Sequence, residues 1–320
     1  MLNYKTLQIK SIYYLLTETV IFVENRKPVS KNIYFLISFL AISTTLFAQK
    51  KYQGLLWEIS GNGLEQPSHL YGTMHTTDER AFQFKDGVME AFDNSSIYAM
   101  ELNMDSVGGG NLLGMLVMDS AQSLSSLIDS SEYLMVQNFF RDTLKQSLMM
   151  YDKMQPMFTA TLIGMRDLKS DRESALDLFL FKRAKEQGKR LIGLEKLEEQ
   201  IGAFNAIPYQ MQADGLVMAV ESIMSGEAKD TSEVKLIDHY MKGDLDKMLE
   251  FTDEFGSEDP EAAKLFMEVF LIKRNYNMTD RSEQYLKAGN AFIAVGAAHL
   301  PGEEGVIELL RKKGYTVEPK

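Results

Sequence analysis

Six short apolar runs break an otherwise amphipathic chain. Residues 55–60, 69–75, 97–103, 190–195, 291–299 and 315–318 are rich in aliphatic and aromatic side chains and read as strands. Gly61-Asn62-Gly63 and a short polar stretch separate the first two, a hairpin-like turn signal. Several of the others are continuously apolar, as strands covered on both faces are. Strand–helix–strand order then predicts an α/β fold with a mainly parallel central sheet. The second and fifth runs lie near the two ends of the chain, so the sheet is expected to be built from both ends, with a large helical middle region beside it.

That middle carries apolar residues at helical spacing over 112–164, 174–187, 200–224, 232–254 and 260–287. After the second strand, Thr76 and Glu79 match a capping box, which predicts a helix running on to Val88–Phe92. After the fifth strand, Glu303 and Glu304 are expected at a helix start and Lys312 and Lys313 at its end, with Gly314 closing it. Val306, Leu309 and Leu310 would be its buried face. No repeat of solenoid length is visible.

Residues 33–42 form a ten-residue apolar stretch preceded by Lys31 and followed by Ser43-Thr44-Thr45-Leu46-Phe47-Ala48. This is the order of a secretory signal peptide. It is short for a membrane span, which needs about 20 residues. The expected organisation is a signal peptide at 29–48 and one domain at 49–320. Residues 1–28 would be an upstream misassigned start or an extended n-region. An exported protein, periplasmic or secreted, follows, meeting a membrane only through an uncleaved leader.

The 320 residues carry a net charge of -11 and no cysteine. Lys5, Lys10, Arg26, Lys27 and Lys31 lie in the leader against Glu18 and Glu24, so the remainder is more acidic still. An acidic body argues against nucleic-acid binding, which needs basic surface to displace counterions. Without cysteine there are no disulfides, thiolate ligands or thiol nucleophile.

Two apolar runs end alike, in Gly72-Thr73-Met74-His75 and Gly296-Ala297-Ala298-His299, and the chain has only four histidines. A residue at the end of a parallel strand faces the crevice where such sheets bind ligands. Imidazole is the commonest metal ligand. A strand-end histidine bonded to a carbonyl is the plainer alternative for either motif taken singly. His69 lies six residues before His75, roughly 20 Å along an extended strand, too far to share its ion. His239 falls in a polar helical stretch and is expected in solvent. Glu101 and Glu195 each close an apolar run and are the carboxylates expected at the site. Glu58 is a lesser candidate, expected on an edge strand. Arg274, late in a long helix, could clamp a carboxylate or steady an oxyanion, or simply be a surface arginine. No His-Glu-x-x-His helix, Gly-x-Ser-x-Gly elbow or Walker loop is present.

Taken in order, Leu56-Trp57-Glu58, Leu70 to His75, Met100-Glu101-Leu102, Gly193-Leu194-Glu195 with Glu199-Gln200, Arg274-Asn275, and Ala294 to Leu300 with Gly302, Gly305 and Gly314-Tyr315 resemble the TraB/GumN family, which includes Tiki-like metalloproteases and PrgY-type pheromone-shutdown proteins. The likeness spans nearly all of residues 53–320. It implies the fold of the erythromycin-esterase/ChaN-like superfamily and a metal-dependent site at the paired motifs. His75, His299 and Glu101 would hold a divalent ion, manganese or cobalt by resemblance, with zinc or iron as alternatives. Glu101, Glu195 and Arg274 would be the catalytic residues, Glu101 or Glu195 as general base. The implied activity is cleavage of a peptide or secreted protein. Three other readings stay open: a protein that sequesters a peptide signal without cutting it, a haem- or iron-binding protein in which Tyr71 is a ligand to test, and a non-catalytic structural relative with a degraded site.

Overall fold

The computed structural model describes residues 51–320, except 110–111, 165–170, 227–231 and 255–259. The leader expected at 29–48 and the segment before it lie outside the described residues. One six-stranded sheet is present: β1 (Leu56–Gly61), β2 (Ser68–Thr73), β3 (Ile97–Leu102), β4 (Arg190–Glu195), β5 (Ala291–Gly296) and β6 (Tyr315–Pro319). Its spatial order is β4-β3-β5-β2-β1-β6. The first four of these run parallel, and β1 is antiparallel to both β2 and β6. The sheet thus joins both ends of the expected domain, and most of the helical segments lie between β3 and β5 in sequence.

The burial of the strands follows their composition. β5 reads Ala291-Phe-Ile-Ala-Val295 and is wholly buried until Gly296, as a central parallel strand should be. Phe292 stacks on Tyr98 and meets Tyr71 at a tilt, and Phe92 closes on it edge-on. A second apolar cluster, including Phe139, Phe140, Leu216 and Val220, lies among the middle helices away from the sheet.

Several helices are more broken than their periodicity predicts. Pro208 divides 200–224 into Leu197–Asn205 and Tyr209–Ser225, since proline lacks the amide to continue a helix. Gly243, at φ 67°, divides the next pair into Ser232–Lys242 and Leu245–Glu254. The stretch 112–164 is a series of short helical pieces rather than long helices. Thr76 forms no capping box with Glu79. Asp78 instead caps a single 3-10 turn, Glu79–Phe82, and a separate helix, Val88–Asn94, follows Gly87 at φ 86°. Glu303 and Glu304 precede the last helix, Val306–Lys312, whose N-cap is Gly305. The long segment from Pro260 to Ala288 is helical throughout but contains a π-helical turn at Glu268–Ile272, directly before Arg274. Such turns rotate the residues after them and are frequent at functional sites.

Candidate functional site

The strand order aligns the expected site residues along one rim. The C-terminal ends of β4, β3, β5 and β2 present Glu195, Glu101, Gly296 and Thr73 side by side. Thr73 is paired with Gly296, and the two Gly-x-x-His motifs leave the sheet together. The chain bends immediately after β5 into a 3-10 turn, Ala297–His299, which tucks the second imidazole inward. Gly72 makes this possible: a Cβ there would lie 3.1 Å from Ala297 Cα and 3.2 Å from Leu300 Cδ2.

His299 is 5% exposed. Its Nδ1 is 2.6 Å from Asn275 Oδ1. The amide nitrogen of Asn275 donates to the Glu304 carbonyl at 2.8 Å, so its oxygen is the atom turned to the ring. Nδ1 therefore carries the proton and Nε2 presents a lone pair. Burial, with Arg274 adding to it, holds the His299 pKa below the usual value despite the opposing pull of Glu101 and Glu195, which keeps the ring neutral. Nε2 faces Glu101 Oε1 at 3.7 Å.

Glu101 is held on both oxygens. Oε1 accepts from the Gly296 amide at 2.7 Å, and Oε2 accepts from Arg274 Nη2 at 2.7 Å. Desolvation alone would raise its pKa. The pull of His299 whenever that ring is protonated, the Arg274 guanidinium and the Gly296 amide outweigh it and hold the carboxyl below its ordinary range.

Arg274 is not a surface arginine. Its Nε and Nη2 grip Glu195 at 2.9 and 2.6 Å, its Nη2 also reaches Glu101, and its Nη1 donates to the Phe270 carbonyl at 3.2 Å. Glu195 also accepts from Gln200 at 3.1 Å and its side chain is 2% exposed. One guanidinium thus stands between two carboxylates, leaving one formal negative charge in excess.

The structure brings Glu101, Glu195, Arg274 and His299 together and leaves His75 beside them. The His75 side chain is 78% exposed, and its Nδ1 lies 3.5 Å from Asp177 Oδ2. Asp177 raises the His75 pKa, burial opposes it, and the charge of Glu101 adds to the rise. Asp177 belongs to the first turn of the Leu176–Glu186 helix. Among the described residues no three His, Asp or Glu side chains gather around one point in a way that could hold an ion.

The donor chemistry nevertheless suits a cation. A neutral Nε2 and a carboxylate oxygen are both electron-pair donors, and 3.7 Å is beyond hydrogen bonding. Two ligands each about 2.0–2.2 Å from one ion stand about this far apart. The excess negative charge points the same way, and His75 stands as a further imidazole on the same rim.

The remaining candidates fall outside the cluster. Tyr71 is 2% exposed in the core, with its hydroxyl 3.3 Å from that of Tyr240, and burial pushes its pKa up to about 12. No face is left for a haem, which corrects its candidacy as a ligand. His239 is half-buried, with Nδ1 3.9 Å from Asp244 Oδ2, rather than free in solvent. Glu58 lies on β1, between β2 and β6 and so not at an edge, and pairs with Lys320 at 2.6 Å. Asp177 and the orienting of His299 by Asn275 are absent from the sequence reading. Asn275 had a signal, its place beside Arg274, whereas Asp177 sits in an ordinary amphipathic helix.

The profile of the TraB/PrgY/gumN family matches residues 55–319, from the start of β1 through β6. The chain belongs to the TraB/PrgY/gumN family. Relatives of similar sequence include metalloprotease TIKI2 of Danio rerio, 24% identical over 319 residues that cover 85% of this chain and 62% of that protein. Metalloprotease TIKI1 of Homo sapiens is 24% identical over 318 residues, covering 84% and 62%. An uncharacterized protein of Treponema pallidum (strain Nichols) is 22% identical over 278 residues, covering 81% and 80%. The chain spans a little under two thirds of the length of the TIKI proteins it matches first. No solved structure matches it. Among the described residues no helix is long and apolar enough to cross a membrane.

Proposed function

We propose that this member of the TraB/PrgY/gumN family is an exported metal-dependent hydrolase that cleaves peptide bonds in a peptide or secreted protein. The observation that carries the reading is the encounter of His299 Nε2 with Glu101 Oε1, fixed 3.7 Å apart while Asn275 Oδ1 faces the other ring nitrogen. The naming of the relatives as metalloproteases supports it, and the signal-peptide pattern at 29–48 supports export. His299, Glu101 and His75 would hold the ion. Imidazole with carboxylate suits manganese, cobalt, zinc or iron, and resemblance favours the first two.

When bound, a divalent ion supplies Lewis acidity and an acidified water. The chain's own residues do the rest. Glu101, kept ionised by Arg274 and the Gly296 amide, stands nearest the reacting centre as the proton acceptor. Glu195, its side chain 2% exposed against 26% for Glu101, lies too deep to meet a substrate, so we assign it the holding of Arg274 rather than proton transfer. Arg274, with each of its nitrogens bonded to protein, sets the position and charge of Glu101.

The test is an assay of metal-stripped protein on a peptide library with manganese, cobalt or zinc restored. Metal-dependent cleavage, lost in both His75→Ala and His299→Ala, is expected. Cleavage unchanged in these variants overturns the assignment, and intact peptide recovered from a tight complex replaces it with sequestration.

A further inference from the structure

The two histidines are oriented by different groups in the same manner. His299 has its Nδ1 against a side-chain oxygen, that of Asn275, and so offers Nε2. His75 has its Nδ1 3.5 Å from a side-chain oxygen of Asp177. That oxygen, Oδ2, is buried and has no hydrogen-bond partner, so the imidazole is the group placed to satisfy it. The other oxygen of Asp177 is fixed by the Thr73 hydroxyl, which donates to Oδ1 at 2.5 Å. Thr73 is the residue after the glycine of the first motif. The helix carrying Asp177 is itself pinned to the segment after His75, since the Leu176 amide donates to the Thr76 carbonyl at 3.0 Å.

We propose that Asp177 is the positioning carboxylate of His75: it accepts the Nδ1 proton, fixes that tautomer and turns Nε2 towards the rim where Glu101 and His299 lie. This inference rests on the reading of His75 as a metal ligand. A histidine whose second nitrogen donates to a carboxylate is held in orientation and made a stronger donor. Thr73 then has a role of its own, holding the carboxylate at the required angle. Asp177 touches neither substrate nor ion in this arrangement and acts through the ring.

The experiment has two arms on the purified protein. In the first, the apo chain is labelled with 15N and the His75 tautomer is read from its ring nitrogen shifts. A free neutral imidazole prefers the proton on Nε2; wild-type His75 is expected to carry it on Nδ1. Asp177→Ala loses that preference and Asp177→Asn, which retains an acceptor oxygen, keeps most of it. In the second, cobalt affinity is measured by equilibrium titration. Asp177→Ala weakens binding by about 10–100-fold, the usual effect of removing such a partner, and Asp177→Asn by less. Circular dichroism of each variant confirms folding.

A His75 proton on Nε2 in the wild type overturns the inference whether or not the protein binds metal. Cobalt binding that His75→Ala weakens and Asp177→Ala leaves unchanged also overturns it, with the metal reading intact. Wild-type protein that binds no cobalt, with the Nδ1 tautomer present, overturns the metal reading but leaves the pairing of Asp177 with His75 standing.

Discussion

Asn275 and His299 form the decisive contact of the rim, an amide oxygen 2.6 Å from a ring nitrogen on a buried imidazole. The Glu304 carbonyl, by taking the Asn275 amide proton, dictates which end of the amide meets the ring. Two groups from separate segments thereby choose the tautomer of a third. Asn275→Ala removes that choice without removing a proposed ligand. Metal affinity is expected to fall about 10–100-fold, measured by cobalt titration. Equal affinity in the variant would mean that His299 needs no orientation, and the argument from its lone pair would lose its basis.

Arg274 sits between two carboxylates with its side chain 16% exposed. Removing it leaves Glu101 and Glu195 uncompensated in poorly hydrated surroundings. Arg274→Met is expected to cost about 3–5 kcal/mol, the range for breaking a buried pair, read by urea unfolding at neutral pH. Desolvation, no longer opposed by the guanidinium, would then raise the Glu101 pKa in the folded state, so the folded chain would bind more protons than the unfolded one. The penalty must shrink as pH falls through and below about 4, where the carboxyl takes up its proton in the unfolded chain as well. The double variant Arg274→Met with Glu195→Met should recover part of the loss. A cost independent of pH would argue for lost packing alone.

Gly72 and Gly296 occupy their positions for different reasons. At Gly72 a methyl group would press on Ala297 Cα and Cβ, each 3.1 Å away. At Gly296 it would lie 3.2 Å from Glu101 Oε1 and 3.4 Å from His299 Cδ2. Gly72→Ala should therefore destabilise the fold by about 1–3 kcal/mol, as overpacking does. Gly296→Ala should cost less stability but displace the carboxylate, weakening metal binding. Thermal melts and cobalt titrations on both variants separate the two effects. Identical profiles would show that the glycines share one role.

The sheet was legible because its strands announce themselves singly. The run 190–195 coincides with β4, and β5 differs from its predicted span only where Gly296 lets the chain curl into a 3-10 turn. The convergence of Glu101 with His299 was legible for the same reason, since both end strands that topology makes neighbours. Helix breaks were less visible. Pro208 and Gly243 are plain punctuation once two helices are expected, yet the apolar period runs through both. The Asp177–His75 pairing was hidden altogether, because it joins a helix to a strand end across 102 positions and depends on tertiary packing. The split between Glu101 and Glu195 was hidden too: sequence puts both at strand ends, and only the packing leaves Glu101 half-buried while Glu195 is enclosed.

Glu199 offers a pH test away from the metal ligands. It accepts from Arg281 Nη1 and Nη2 at 2.6 Å, and Arg281 Nη1 also donates to the Leu194 carbonyl at 2.8 Å. Arg281 is seven residues beyond Arg274, on the same helix face, so the helix clasps the end of β4 twice. Glu199 also accepts from the Lys196 amide at the start of its own helix. The Arg281 guanidinium, against some desolvation and with help from that amide, lowers the Glu199 pKa from 4.5 to about 2. Between those values the unfolded chain binds the more protons, so stability rises with pH. The contribution is complete above about pH 5 and is lost as pH falls towards 2. Both side chains are about one third exposed, 34% and 35%, so solvent screens the pair and its worth is about 1 kcal/mol. Glu199→Gln should lower stability by that amount at pH 7, measured by urea unfolding, and match the wild type near pH 2. A difference that persists at low pH would assign the loss to helix capping rather than to the ion pair.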